Sequence, residues 1–344
     1  MLPGGVDSFT GIHPFLLVTA AAGLDRLVGD PRWCLHPVVV MGWCISRLRQ
    51  LIEHWAGGRP WTLRLGGGLI TLLLVGGSGT AGWLVEQISL RIPQLLGLPL
   101  LLLALASALA GRSLEQAVRD VLRALAQGND LSGARRALSW IVGRETAELD
   151  AAEILRAAAE TASENAVDGL FAPLFWMLVG AGLWSAGFSA GPGPLALAWA
   201  FKAASTLDSM LGYRRGSLVW LGTAGARLDD LLVWLPCRLV AISLPLVSPR
   251  TLPKAIRLLK RSLVDGAPDP SPNAGISQAI YAHCLGVQLG GLNRYGASER
   301  QKPLLAAGAA AVSAGSVERM LELSQRLEVL WLVAASSVGA AIHW

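Results

Sequence analysis

The sequence predicts an all-α fold: a polytopic integral membrane protein with amphipathic helical segments outside the bilayer. Charged residues make up 15% of the 344-residue chain, against about 25% in an ordinary soluble domain. Hydrophobic residues make up 53%, and the mean hydropathy is +0.48. This composition argues against a soluble globule and excludes a disordered chain. Long apolar runs favour one membrane-embedded domain over residues 1–344.

The first third of the chain carries three apolar stretches. Residues 12–24 are short for a span and end in charged residues, so we interpret them as re-entrant or buried in protein. Residues 65–85 hold no charge and fit a Gly-rich transmembrane helix. Residues 92–111, dense in Leu and Ala, are a second strong candidate span. The short connection between these two spans indicates a helical hairpin.

A polar segment, residues 112–165, follows the predicted hairpin. It carries seven Arg and nine acidic residues, with apolar positions at helical spacing. This pattern predicts two or three amphipathic helices outside the hydrocarbon. Apolar residues return over 166–200, where a Gly-Pro-Gly-Pro turn at 191–194 separates two predicted helices.

The rest of the chain repeats this alternation. Residues 217–248 are apolar except for a few charges, and residues 250–302 form a second polar segment, which we predict to be a helical insertion. This insertion carries eight basic and three acidic residues, an excess that favours the cytoplasmic face. Two further apolar blocks, 303–317 and 328–343, flank an amphipathic stretch.

The charge balance indicates topology rather than nucleic-acid binding. A net charge of +5 and a pI of about 9.3 fit a membrane protein whose basic residues lie in cytoplasmic loops. We therefore expect a multi-pass protein of the cell (inner) membrane, with the lipid bilayer as a partner and no nucleic acid. The four cysteines form no C-x-x-C pair, which argues against a zinc site or a disulfide framework.

An acidic cluster lies where the first polar segment meets an apolar run. Glu160, Glu164 and Asp168 are spaced by four residues, so on one helix they share a face, and Asn165 lies beside that face. Stacked carboxylates at a membrane boundary repel one another, and a cation such as Mg²⁺ would relieve the repulsion. The alternative is a solvated helix face that Arg156 neutralises.

Polar residues at helical spacing also follow the second apolar block. Lys202, Ser205 or Thr206, and Asp208 recur every three or four residues, with Arg214 just beyond. The two cations suit a pocket for phosphate. A hydrogen-bonded seam between helices explains the hydroxyl groups equally well.

A third group of charges lies inside the apolar stretch 217–248. Charged residues are costly there, which makes Arg227, Asp229 and Asp230 functional candidates. Adjacent aspartates point to different helix faces, so one carboxylate can pair with Arg227 while the other binds a metal. The alternative is a buried ion pair that fixes packing.

Two loops complete the candidate residues. Ser271 or Asn273 can cap a following helix, whose free N–H groups attract anions. Prolines stiffen a loop that holds Asp30 and His36, and a histidine there could carry protons near neutral pH. The sequence has no P-loop, no nucleophile elbow and no H-E-x-x-H motif.

Six segments occur in an order typical of one protein family: GDPRWCLHPVVVMG, IVGRETAEL, ETASENAVDGLFAPLFW, STLDSMLGYR, GARLDDLLVWLPCRL and SPNAG followed by LGVQLGG. They resemble adenosylcobinamide-phosphate synthase, the CbiB/CobD proteins of cobalamin biosynthesis, over roughly residues 20–310. The resemblance implies an integral membrane enzyme, an acid–amine ligase. It would join aminopropanol or aminopropanol phosphate to the f propionate of adenosylcobyric acid in an ATP-dependent reaction that needs Mg²⁺.

The resemblance and the clusters together give each residue an expected role. The expected catalytic residues are Asp30 or His36 as the base, with Asp229 and Asp230. The expected metal ligands are Glu164, Asn165, Asp168, Asp229 and Asp230. The expected nucleotide-binding residues are Arg144, Lys202, Asp208, Arg214, Arg227 and Asn273.

The chain departs from the family pattern at several positions. Asp269 stands in place of a usual His, Gln278 in place of a usual Glu, and Ser205 in place of a usual Asn. The first two changes weaken any catalytic role for that segment and are compatible with an altered amine preference. The alternative function is a membrane corrinoid-binding scaffold or transporter without ligase activity, which hands intermediates to other cobalamin-pathway enzymes.

Overall fold

Helices dominate the computed structural model of the chain, which describes residues 13–29, 36–128, 130–213, 215–248, 252–295 and 298–342. The all-α prediction is confirmed, with one short β-hairpin added. The elements in chain order are α1 (Pro14–Val28), α2 (Pro37–Ala56), α3 (Pro60–Arg91), α4 (Gln94–Ala106), α5 (Gly111–Gln127), α6 (Ser132–Ser139), α7 (Ala151–Ala166), α8 (Ala172–Ser185), α9 (Pro194–Leu211), α10 (Leu218–Leu221), α11 (Thr223–Val247), α12 (Leu252–Gly266), α13 (Ala274–Leu285), β1 (Leu289–Tyr295), β2 (Ser298–Leu305) and α14 (Ala314–Ile342).

Two compact units divide the chain. Unit 1 comprises Met1–Ala110, Ala172–Leu232 and Leu332–Trp344, and unit 2 comprises Gly111–Phe171 and Val233–Trp331. Unit 1 holds α1 to α4, α8 to α10 and the first part of α11. Unit 2 holds α5 to α7, α12, α13 and the hairpin. That residues 1–344 form a single membrane-embedded domain stays a prediction.

Three helices in the described residues are long and apolar enough to cross a membrane. They are Pro60–Arg91, the continuous Ala151–Ser185 and Thr223–Val247, and α4 with α5 would add a fourth as one bent span. Large apolar side chains on α3 and α11 are exposed, as expected of surfaces that face lipid. They include Leu65, Leu69, Leu72, Leu73, Leu84, Ile88, Leu231, Trp234, Leu235, Ile242 and Leu246.

The predicted segments match these elements with three differences. Segment 65–85 lies within the candidate span Pro60–Arg91, and segment 217–248 contains α10 and the candidate span Thr223–Val247. The turn at 191–194 separates α8 from α9, as predicted. The candidate span 92–111 instead forms the 13-residue helix α4, about 20 Å long, because Gly111 already begins α5.

The other two differences concern the predicted polar insertions. The third helix of the first insertion, α7, runs without interruption into the apolar α8, so the boundary at residue 165 is wrong. The second insertion is helical only to Leu285, and its last part forms β1 paired antiparallel with β2. Gly290 and Gly291, both with φ near +90°, start this hairpin with a backbone that helices do not use.

Glycines allow α3 to pack against its neighbours at backbone distance. A Cβ at Gly67 would lie 2.0 Å from the carbonyl oxygen of Leu221, and one at Gly82 would lie 2.8 Å from the Cα of Ala196. Any side chain at these positions would push α3 away from α10 and α9. Close packing through small residues is typical of helices in membranes.

The first turn of α9 is capped by a carboxylate from α3. Glu86 is 0% exposed, and its oxygens accept hydrogen bonds from the N–H groups of Gly193 (3.0 Å), Leu195 (2.6 Å) and Ala196 (3.2 Å). Helix N-termini leave such N–H groups unpaired and carry partial positive charge. Glu86 therefore ties α3 to the start of α9 inside unit 1.

Replacement of Glu86 by alanine is expected to destabilise the protein by roughly 2–4 kcal/mol, because three buried N–H groups lose their acceptor. The midpoint of thermal unfolding in detergent measures this effect. Glu86→Gln is the matched control, since its amide oxygen still accepts one of the bonds and the loss should be smaller. Equal midpoints for Glu86→Ala and the unchanged protein would contradict the capping role.

Candidate functional site

In unit 1, the charges of three predicted residues act on the carboxylate of a fourth, Asp229. The charges of Lys202 and Asp208, from α9, and of Asp230, from α11, act on the side chain of Asp229. The Oδ1 atom of Asp229 is buried and has no hydrogen-bond partner in the described part of the chain. A buried carboxylate oxygen without a partner is unfavourable in the protein alone. It therefore indicates a place for a bound cation or hydrogen-bond donor.

Two glycines explain why α11 begins so close to the end of α9. A Cβ at Gly222 would lie 1.9 Å from the carbonyl oxygen of Leu211, and one at Gly225 would lie 3.0 Å from the Cβ of Leu207. Because both residues lack side chains, the first turn of α11 packs directly on the last turns of α9. This contact brings Asp229 within electrostatic range of Asp208.

The donor set of this cluster suits a divalent cation bound together with phosphates. Three carboxylates and one ammonium give the four side chains a formal charge of −2. Among the described residues, no three His, Cys, Asp or Glu side chains converge closely enough to hold a metal ion by themselves. Mg²⁺ commonly uses one or two carboxylates and completes its shell with water and substrate phosphates. The set thus fits Mg²⁺ only with further ligands.

Two hydroxyl groups on α9 donate within their own helix rather than across a seam between helices. Thr206 Oγ1 donates to the Lys202 carbonyl oxygen at 2.7 Å, and Ser209 Oγ donates to the Ser205 carbonyl oxygen at 2.9 Å. These bonds stay within the helix. Arg227 is exposed on the second turn of α11, and no described carboxylate forms an ion pair with it. The buried ion pair that the sequence allowed for Arg227 is therefore not found among the described residues.

Unit 2 contains the acidic cluster predicted at Glu160, Glu164 and Asp168, and the first residue of this cluster is neutralised. Glu160 is paired with Arg144 at 3.0 Å and with Arg156 at 3.3 Å, and it accepts the N–H of Gly290 at 3.0 Å. Arg144 also donates to the side-chain oxygen of Asn293. The predicted pairing of Arg156 with Glu160 is confirmed, but Glu160 is buried rather than solvated.

The second acidic residue, Glu164, faces a different set of groups. Its Oε2 accepts a hydrogen bond from Gln278 Nε2 at 2.6 Å. The charges of Lys302, Asp269 and Glu160 also act on Glu164. Lys302 Nζ lies 3.8 Å from Asp269 Oδ2. Glu164 thus keeps a mixed environment of one amide, one cation and further carboxylates.

Asp168 lies in a π-helical segment, Val167–Phe171, between α7 and α8. The spacing of four residues therefore places Glu160 and Glu164 on one α-helical face, but it does not extend to Asp168. Pro173 explains the segment, because its ring lacks an N–H and clashes with the carbonyl four residues earlier. Such segments are frequent at functional sites. Asn165 is half-buried beside it.

Ser271, in the loop before α13, binds the first backbone N–H group of that helix. Its Oγ accepts the N–H groups of Asn273 (3.3 Å) and Ala274 (3.2 Å), as one of the two sequence alternatives predicted. The side-chain oxygen of Asn273 accepts from Arg238, whose guanidinium also donates to the Pro272 carbonyl at 2.8 Å. Asn273 is 6% exposed, so its predicted nucleotide contact would have to compete with Arg238.

Of the two predicted bases, His36 lies within the described residues. His36 caps α2, and its Nδ1 accepts the N–H of Val38 at 3.3 Å. This contact gives His36 a structural role. Asp30 and Arg214 lie outside the described residues.

Comparison with known proteins gives a consistent result over most of the chain. The family described as CobD/Cbib protein matches residues 18–324. The cobalamin biosynthesis protein CobD of Synechocystis is 40% identical over 95% of this chain and 92% of its own. CobD of Pelobacter propionicus is 40% identical over 79% of each chain. CbiB of Salmonella typhimurium is 35% identical over 91% of this chain and 94% of its own. No solved structure matches. The chain therefore belongs to the CobD/CbiB family.

Proposed function

We propose that this chain is a membrane-embedded acid–amine ligase of cobalamin biosynthesis. In this proposal it joins aminopropanol or its phosphate ester to the f propionate of adenosylcobyric acid with consumption of ATP, as an adenosylcobinamide-phosphate synthase does. The named relatives support the pathway and an enzyme role within it. The observation that supports the chemistry best is the buried Oδ1 of Asp229, which lacks a partner among charged neighbours.

The proposed nucleotide centre uses the unit 1 cluster. Asp229 and Asp230 would hold Mg²⁺, with Asp208 in support, and the ion would neutralise charge on the phosphates of ATP. Lys202 and Arg227 would bind phosphate oxygens, and Arg214 is proposed for the same role from the sequence alone. Because the charges of Lys202 and Asp208 already act on Asp229, a nucleotide bound here with Mg²⁺ would lie within electrostatic range of all three side chains.

We also propose roles for the predicted residues outside the unit 1 cluster. Asp168 and Asn165 are proposed as oxygen ligands at the π-helical segment, while Arg144 and Asn273 are proposed to contact nucleotide only if they release Glu160 and Arg238. His36 or Asp30 is proposed to accept the proton that the amine loses when the amide forms. We also propose a location in the inner membrane and hand-over of the product to other enzymes of the pathway.

The test is an assay of the purified full-length protein in detergent with cobyric acid, aminopropanol phosphate, ATP and Mg²⁺. Mass spectrometry of the corrinoid should find the mass gain of one amide bond, and only when ATP is present. A corrinoid that binds but keeps its mass would contradict the ligase proposal and favour a binding scaffold. Transport of a corrinoid into vesicles without amide formation would favour a transporter.

A further inference from the structure

Gln278 holds a buried amide oxygen that no described group satisfies. The residue is 1% exposed, and its Oε1 is buried without a hydrogen-bond partner. Its Nε2 donates to Glu164 Oε2 at 2.6 Å. Because the carboxylate accepts only the NH₂ group, Glu164 fixes the orientation of the amide and leaves the oxygen directed elsewhere. The site therefore lacks a donor rather than an acceptor.

The groups around Glu164 suit an organic cation better than a metal ion. Glu160, one turn earlier on α7, is paired with two arginines. Of the other groups that act on Glu164, Asp269 is negative and Lys302 is positive, and these two lie 3.8 Å apart. Glu160 and Asp269 thus each lie beside a basic side chain, whereas Glu164 accepts from the neutral amide of Gln278. A divalent ion would find one carboxylate and one amide oxygen on Glu164 and Gln278.

We infer that Glu164 and Gln278 form a subsite for a primary ammonium group, the amino end of the amine substrate. This inference rests on the proposed function for the identity of the amine. An ammonium group has three N–H donors; one would bind Glu164 and another the unsatisfied oxygen of Gln278. Glu164 then binds an organic cation instead of the metal ion that its spacing in the sequence predicted. The two side chains orient the amine and take no part in proton transfer.

The experiment measures binding of 1-amino-2-propanol phosphate to the purified full-length protein by calorimetry, without ATP or corrinoid. Gln278→Met keeps the length of the side chain but removes its amide oxygen and the NH₂ group that orients Glu164, so the Kd should rise by about tenfold. Gln278→Glu places a second carboxylate at the site, so the Kd for the ammonium should stay equal or fall. The N-acetylated amine, which has no ammonium, should bind the unchanged protein at least about tenfold more weakly.

The matched control is Gln288→Met, in the same unit. The Oε1 of Gln288 accepts the N–H of Gly308 at 2.9 Å, so this variant loses an amide oxygen that already has a partner. Its Kd for the amine should not change. Gln278→Glu covers the case in which Gln278→Met does not fold, because a carboxylate should attract an ammonium at least as strongly as an amide oxygen does. A higher Kd for the ammonium in Gln278→Glu would overturn the inference.

Other outcomes separate this inference from the proposed function. Amine binding that depends on Gln278 would support the subsite even if the purified protein forms no amide. Amide formation with an unchanged KM for the amine in Gln278→Met would overturn the subsite and leave the ligase intact. No amine binding to the unchanged protein, or a change confined to the KM for the corrinoid or the requirement for Mg²⁺, would also overturn it.

Discussion

Replacement of Asp229 by asparagine is expected to lower kcat for amide formation by at least about 100-fold. The substitution keeps the size of the side chain but removes the charge from the carboxylate at the centre of the unit 1 cluster. Its buried oxygen has no partner within the described residues, so the packing of the protein loses little. The KM for the amine should stay unchanged, because the proposed amine subsite uses other residues. Rate measurements at saturating amine with varied Mg²⁺ and ATP report the effect.

A matched control is Asp120→Asn on α5. Asp120 pairs with Arg123 at 2.6 Å, and the two side chains are 56% and 65% exposed. This variant also loses one carboxylate charge, but from an exposed ion pair of little energetic weight, and its kcat should not change. Full activity of Asp229→Asn, with normal insertion into the membrane, would remove Asp229 from the proposed nucleotide centre.

Replacement of Glu160 by alanine is expected to destabilise the folded protein by roughly 3–5 kcal/mol. It would leave the guanidinium of Arg144, 5% exposed, without its carboxylate partner. It would also remove the acceptor of the Gly290 N–H at the start of β1. Thermal unfolding measures the loss, and hydrogen exchange should become faster at the Gly290 amide.

An exposed ion pair on α14 provides the control for Glu160→Ala. Arg326 and Glu322 lie 3.6 Å apart with side chains 59% and 51% exposed, so Glu322→Ala should change stability by less than about 1 kcal/mol. The double variant Arg144→Met, Glu160→Met should recover part of the stability lost in Glu160→Ala, since the buried guanidinium of Arg144 is removed together with its carboxylate. Arg156 keeps its hydrogen bonds to the carbonyl groups of Gly290 and Leu292. Similar losses in Glu160→Ala and Glu322→Ala would argue against a buried network.

Hydropathy predicted most of the helices, and the Gly-Pro-Gly-Pro turn at 191–194 predicted the start of α9. Prolines at the first helical positions of α1, α2, α3 and α9 mark their starts in the sequence as well as in the structure. The hairpin β1–β2 was missed because its residues are polar and lie among basic helical segments. The continuity of α7 with α8 was missed because charge density alone set the boundary at 165, although the backbone needs no break there.

The sequence identified charged candidates but not their partners. Asp229 stood out because a carboxylate in an apolar stretch is costly, and its neighbour Asp208 was found from helical spacing. Gln278 stood out only as a departure from the family pattern, in which a Glu is usual, since a neutral amide in an apolar helix carries no signal of its own. Its importance depends on the distance to Glu164, 114 residues earlier in the chain, and one sequence alone carries no measure of that distance.

The Glu86 cap also has a consequence for biogenesis. Glu86 and its donor Gly193 are 107 residues apart in the chain, and ribosomes add roughly 5–20 residues per second. A nascent α3 therefore waits about 5–20 s before the backbone groups that will receive its carboxylate have been made. During this interval Glu86 must stay in water, in the lipid headgroup region or against the insertion machinery. Completion of unit 1 is thus a late event in synthesis, even though α3 is made early.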